Sequence, residues 1–163
     1  MLLAVFSDSH GVSGPMAAAV AQYRPDCVLF LGDGVRDAEA VRRMHPETRF
    51  IILRGNCDRD PGYEDDAILR LEGVGIFAVH GHHHAVKYGL DKFCNSVWCS
   101  GSKLGFYGHT HTPLWQEVRG MVLVNPGSVG SAQRPTFALV TLENGKADCR
   151  ILDAPTAEQE RGT

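Results

Sequence analysis

Side chains able to bind a metal ion gather in a few short, glycine-flanked stretches. They are Asp8 and His10 in Asp8-Ser9-His10, Asp33 in Gly32-Asp33-Gly34, Asn56 in Gly55-Asn56-Cys57-Asp58, His80 in His80-Gly81, and His109 and His111 in Gly108-His109-Thr110-His111. Each stretch follows a short apolar run, and in open α/β sheets ligands sit outside the carboxyl ends of the strands. The seven donors are carboxylate, amide and imidazole, with no thiolate. That mixture favours Mn²⁺, Fe²⁺, Zn²⁺ or Ni²⁺ over Cu(I) or an iron–sulfur cluster. One ion takes three or four protein ligands, so seven donors suit two divalent metal ions that share a carboxylate. Asp33 is the expected bridge, because it stands alone after a central strand. Two such ions, set against Asp8, Asp33 and one hydroxide, leave a charge of about +1, which attracts a phosphate oxyanion. A pair of ions roughly 3.5–4 Å apart also acidifies water and clamps an in-line displacement, so the implied chemistry is hydrolysis of a phosphate ester.

The elements that must carry these residues can be read from periodicity. Continuous apolar runs at 2–6, 27–31 and 50–53 have the pattern of buried strands. Between them, 15–23 and 35–44 read as helices, the first with Ser13 as its N-cap. The order β-α-β-α-β implies parallel strands with right-handed crossovers. Hairpins then dominate: 68–71 with 76–79 around 72–75, 114–118 with 121–124 around Arg119-Gly120, and 137–142 with 147–152 around 143–146. A helix is expected at about 88–100 and a strand at 104–107. The fold class is therefore α/β, two packed mixed β-sheets flanked by helices.

The chain has 163 residues, enough to bury a core without disulfides, and its apolar fraction of 44% excludes a disordered chain. A net charge of −3 gives no strong nucleic-acid signature. The five cysteines are odd in number and lack C-x-x-C spacing, which fits a reducing compartment. No basic leader or membrane-length apolar run is present, so the expectation is a soluble, cytoplasmic protein with no membrane association. Residues 1–152 read as a single domain and 153–163 as a polar, frayed tail.

Asp8-Ser9-His10, Gly32-Asp33, Gly55-Asn56, His80-Gly81 and Gly108-His109-Thr110-His111, in that order, resemble the five motifs of the calcineurin-like metallophosphoesterases. Spacing resembles the small single-domain phosphodiesterase branch of bacteria and archaea, over roughly residues 1–142. The resemblance implies a four-layer sandwich. It implies that Asp8, His10 and His111 hold one metal with Asp33, and that Asn56, His80 and His109 hold the other with Asp33. It further implies that Mn²⁺ or Ni²⁺ is preferred and that a metal-bridging water attacks the phosphodiester. Asp33, Asn56 and His80 then count as catalytic. One departure matters: where many relatives carry a histidine after Gly-Asn, this chain has Cys57. A thiol of pKa about 8.5 is a poor proton donor to a leaving oxygen. His82, His83 and His84 are candidate replacements. His82 is balanced between a substrate contact and plain exposure, while His83 and His84 are expected to be exposed.

Other polar and aromatic residues have blander readings. Asp58 either orients a neighbour or caps its turn, with the turn favoured. Arg59 either meets phosphate or is a solvated loop residue, the latter favoured. Asn125 in Asn125-Pro126-Gly127 is read as bracing the metal rim rather than as a ligand. His45 is read as a solvated helix cap. Cys27 and the Phe93, Val97, Trp98 stripe are read as core, while Trp115 fits either core or an oligomer face. The expected substrate is a small-molecule or nucleotide phosphodiester, and a homo-oligomer is compatible with the sequence. Two alternatives stand beside this reading. One is a phosphomonoesterase or nucleotidase with the same metal core. The other is an interaction scaffold of the same fold, similar to a retromer subunit.

Overall fold

Two five-stranded mixed sheets face each other in the computed structural model, which describes residues 1–156. The first sheet contains β1 (Leu2–Phe6), β2 (Cys27–Phe30), β3 (Arg49–Ile52), β9 (Thr136–Glu143) and β10 (Lys146–Asp153), in the order β10-β9-β1-β2-β3. The second contains β4 (Asp66–Leu71), β5 (Val74–Val79), β6 (Leu104–Phe106), β7 (Leu114–Val118) and β8 (Met121–Asn125), in the order β4-β5-β6-β8-β7. β1, β2 and β3 run parallel, as do β5, β6 and β8, while the outer hairpin strands are antiparallel.

Continuous apolar strands arise because each central strand is covered on both faces. Leu3, Val5, Leu29 and Leu31 meet Ile76, Ala78, Phe106 and Val124 between the sheets. The alternate residues Ala4, Phe6, Val28 and Phe30 meet Met16, Val20, Ala38 and Val41 of helices α1 (Gly14–Tyr23) and α2 (Val35–Met44). On the far side, Phe93 and Val97 of α3 (Asp91–Cys99) cover Phe77, Val79 and Leu123. This is the α/β arrangement expected, with helices outside both sheets. No helix among the described residues is long and apolar enough to cross a membrane.

Several local expectations need correction. Ser13 occupies the N-cap position of α1, but its hydroxyl makes no capping bond. The first and last hairpin turns are tighter than the sequence suggested, while the Arg119-Gly120 turn is the two-residue turn expected. Each has two residues with positive φ, Glu72-Gly73, Arg119-Gly120 and Asn144-Gly145, the geometry that matches strand twist. Val74, expected in a turn, is therefore buried in β5. Trp98 is not core: it is 57% exposed, with the Lys103 ammonium 5.9 Å from its ring centre. Trp115 is also exposed, whereas Cys27 is in the core as expected. Order continues past residue 152, since Asp153 pairs with Thr136 and buried Ala154 donates its N–H to Pro135 O at 2.8 Å. The tail beyond 156 lies outside the described residues.

The loops after β2 and β3 approach closely at Gly32, whose φ of +107° and lack of Cβ let Gly55 and Arg54 pack against it. Gly32→Ala is expected to lower the unfolding free energy by about 3 kcal/mol or more. Gly101→Ala, at φ +72° with nothing within 4 Å of the added carbon, should cost about 1 kcal/mol. Urea unfolding of both variants without metal checks this, and equal losses would contradict the tight approach.

Candidate metal centre

All seven donors emerge just past carboxyl ends of strands in both sheets. Asp8 and His10 follow β1, Asp33 follows β2, and Asn56 follows β3. His80 follows β5, and His109 with His111 follows β6. Backbone bonds lace these loops together: Asp8 N–H to Gly32 O at 3.0 Å, His10 N–H to Asp33 O at 3.1 Å, and Gly108 N–H to His80 O at 2.9 Å. Five donors adopt left-handed backbone: Asp8 at φ +57°, His10 at +44°, Asp33 at +60°, His109 at +68° and His111 at +59°. Each such residue costs about 1–2 kcal/mol relative to ordinary backbone. Asp and His tolerate the region better than most residues, and such strain concentrates at functional sites.

The side chains form two adjoining groups. In one, Asp8 Oδ1 lies 3.1 Å from His111 Nε2 and 3.6 Å from His10 Nε2, and the two imidazole nitrogens are 3.2 Å apart. In the other, Asp33 Oδ2 lies 3.3 Å from His80 Nε2, and donor atoms of Asp33, His80 and His109 all fall within 4.8 Å of one another. Asn56 Oδ1 is 3.1 Å from His80 Nε2. Asp33 Oδ2 is also 3.8 Å from His10 Nε2, so this carboxylate adjoins both groups.

Two features test whether cations fit. Asp8 is 0% exposed; its Oδ2 accepts the Ser7 hydroxyl at 2.5 Å and the His109 N–H at 3.0 Å, but buried Oδ1, with His111 Nε2 3.1 Å away, accepts no hydrogen bond among the described residues. His80 is 0% exposed and its Nδ1 lies 3.0 Å from Leu31 O. A carbonyl only accepts, so Nδ1 carries the hydrogen and Nε2 faces the Asn56 and Asp33 oxygens. Either a proton or a metal ion must sit on Nε2. The donors present therefore suit divalent ions.

Charge follows the same geometry. Burial opposes ionisation of Asp33, yet the bonds and charge of His80 and the Cys57 N–H, at 2.8 Å, hold its carboxyl well below the usual range. Burial works against protonating His80, but Asp33, Asp8 and the Leu31 carbonyl outweigh it and raise its pKa. Burial, then the Asp33 carboxylate, pushes the Cys57 thiol up. Burial, then His83 and His80, pulls His82 down to about 4. That downward shift disfavours the imidazolium form of His82 near neutral pH. Its ring centre is 5.5 Å from that of His80 and 6.2 Å from that of His109. His83 is exposed. His84, expected exposed, is half-buried edge-on against Phe77 and Phe93, with Nε2 3.2 Å from Ser96 Oγ.

The supporting residues are where sequence reading fell short. Asp58 is more than a turn cap. Its carboxylate accepts the N–H of Asp33 at 2.7 Å, Gly34 at 3.0 Å, Val35 at 3.0 Å and Gly55 at 2.8 Å. It thus ties the Asp33 loop and the start of α2 to the Asn56 loop. Asp37, unremarked in the sequence, accepts the Ser9 hydroxyl at 2.6 Å and the Gly11 N–H at 2.8 Å, holding the Asp8–His10 loop. Ser128 Oγ donates to Asp8 O at 2.7 Å. Asn125 braces the His109 loop as expected: its amide donates to Gly108 O at 3.1 Å and Thr110 Oγ1 at 2.9 Å. Asp58→Ala removes one acceptor group from four N–H donors. The expected loss is about 3–4 kcal/mol in urea unfolding of EDTA-treated protein, with Asp58→Asn intermediate. A loss below about 1 kcal/mol for Asp58→Ala would contradict the bracing role.

Comparison with known proteins agrees with this architecture. The chain is 28% identical over 163 residues to a probable metallophosphoesterase of Bacillus subtilis, YsnB, covering 98% of this chain and 95% of that one. An archaeal phosphodiesterase has the same fold with TM-score 0.70 at 20% identity, over 93% of this chain and 100% of that chain. Vps29 of Entamoeba histolytica, in a structure complexed with Zn²⁺, has the fold with TM-score 0.73 at 21% identity, over 94% and 99%. The calcineurin-like phosphoesterase superfamily domain matches residues 1–145, most of the 163-residue chain, and the chain therefore belongs to that superfamily.

Proposed function

We propose that this protein is a metal-dependent phosphodiesterase whose two-ion centre is formed by Asp8, His10, Asp33, Asn56, His80, His109 and His111. The observation that carries the reading is the position of Asp33 between two donor groups, one of which holds the unpartnered Asp8 Oδ1. Mn²⁺ suits the mixed oxygen and imidazole donors, with Ni²⁺, Fe²⁺ or Zn²⁺ as alternatives. Bound there, two divalent ions would lower the pKa of water and neutralise charge on the phosphoryl oxygens.

The chain's own residues do the rest. Asp33 stays ionised and joins the two halves. His80 keeps its hydrogen on Nδ1 by donating to Leu31 O, which leaves Nε2 for a cation beside the Asn56 amide oxygen. His82, its imidazolium form disfavoured beside His80 and His109, offers a hydrogen bond to a substrate oxygen rather than a transferable proton. Cys57 holds its proton on Sγ through neutral pH and is a weak acid. Departure of the alcohol then depends on its own acidity. A diester reading is supported by the cleft of about 670 Å³ beside His10 and Asp33, with room for an ester substituent, and by likeness to an archaeal phosphodiesterase. The five free cysteines fit a cytoplasmic location. The likeness to Vps29 keeps a scaffold role as the second reading. Against it stand the complete donor set and the buried charge it holds.

EDTA should abolish hydrolysis of bis(p-nitrophenyl) phosphate and Mn²⁺ should restore it, with this diester preferred over p-nitrophenyl phosphate. His80→Ala should lower kcat by at least about a hundredfold, with metal content measured in parallel. A scaffold would hold substoichiometric metal and show no turnover. Rates should also fall steeply from nitrophenyl to alkyl esters, and Cys57→His should flatten that slope. Equal wild-type rates on both ester types would contradict the argument from Cys57.

A further inference from the structure

We infer that the cleft beside the donor ring is a subsite for a second phosphate group on the substrate, bound by Arg36 and Arg59; this rests on the phosphodiesterase reading above. The cleft, about 670 Å³, is lined near the metal donors by His10, Asp33 and Cys57, and farther along by Arg36, Arg59 and Pro61. That volume accommodates a nucleotide-sized substituent. Three further acids line it, and each is engaged by hydrogen-bond donors of the chain itself. Asp58 accepts four backbone N–H groups, Asp37 holds Ser9 and Gly11, and Asp60 Oδ1 accepts the Gly62 N–H at 2.9 Å. The two arginines differ. Both are exposed, and among the described residues neither makes an ion pair or a side-chain hydrogen bond, whereas nearby Arg54 is bound through two nitrogens to Asp65.

Their placement is built into the backbone. Arg36 follows Val35 in the first turn of α2, and Arg59 follows Asp58 in the loop after β3. Val35 N–H donates to Asp58 at 3.0 Å, so one hydrogen bond holds together the segments that carry the two guanidinium groups. A guanidinium presents a planar fork of donors that matches phosphate oxygens. A substrate whose scissile phosphate meets the donor ring can thus carry a second phosphate into the cleft, where these two forks are the uncommitted partners.

Two chromogenic esters that differ by one phosphate test this: thymidine 3′-phosphate 5′-(p-nitrophenyl phosphate) and thymidine 5′-(p-nitrophenyl phosphate). The wild type at low salt should favour the former in kcat/KM by about tenfold. In the Arg36→Ala/Arg59→Ala variant that ratio should collapse towards one, whatever happens to the ester without the extra phosphate. A wild-type ratio of one, or a ratio that survives the double substitution, overturns the subsite. If neither ester is hydrolysed, the diesterase reading fails by itself. The subsite is then decided by calorimetry. Thymidine 3′,5′-bisphosphate should bind the Mn²⁺-treated wild type about tenfold more tightly than thymidine 5′-monophosphate, an advantage absent from the variant. Equal affinities overturn it.

Discussion

Two buried carboxylates, Asp8 at 0% and Asp33 at 3% exposure, impose the constraint that the rest of the structure answers. A carboxylate out of water is costly unless charge or donors compensate it. Asp33 receives the Cys57 N–H and the charge of His80; Asp8 receives a hydroxyl and one N–H on a single oxygen. His80 Nε2 faces Asp33 at 3.3 Å, and His111 and His10 Nε2 face Asp8 at 3.1 and 3.6 Å, so each carboxylate is set against imidazole nitrogen. On the proposed reading, cations bound between the carboxylates and these imidazoles would compensate both negative charges.

The packing of the two sheets then sets the dimensions of the centre. Asp8, His10, Asp33 and Asn56 hang from the first sheet, while His80, His109 and His111 hang from the second. Their spacing is therefore set by the layer of Leu3, Leu29, Ile76, Phe106 and Val124 between the sheets. Close-packed interiors resist sliding, because side chains interdigitate at crystal-like density. Loop-to-loop bonds add a second restraint, and Asp58 is its hub. Distances of 3 to 4 Å between donors on different sheets depend on both layers of control.

Much of this was legible in the residues, and the remainder was hidden for identifiable reasons. Leu2–Phe6 and Cys27–Phe30 stand out because strands covered on both faces need unbroken apolar runs, and the donors stand out because each follows such a run. The four bonds of Asp58 were not legible, since three of them reach Asp33, Gly34 and Val35, more than twenty positions away. Asp37 was hidden likewise, its partners Ser9 and Gly11 being 28 and 26 residues distant. The run His82-His83-His84 looks uniform as letters, but a 3₁₀ turn points the rings differently. His84 meets Phe77 and Phe93, while His83 faces solvent. Trp98 misled through periodicity, which marks the face of α3 but not where the cover of the sheet ends.

The same strain bears on what the fold is for. On the proposed reading, the buried Asp8 Oδ1 that accepts no hydrogen bond and the left-handed backbone at five donors are the features a purely docking surface would not require. Together those conformations cost several kcal/mol, a large fraction of the roughly 5–15 kcal/mol by which domains are stable. Strain of this kind persists where the surrounding structure over-determines it. Here Asp37, Asp58, Asn125 and Ser128 supply that over-determination, each spending its polar atoms on the loops that carry the donors. Strain, buried charge and bracing all converge on one rim, the rim proposed above to hold the metal ions.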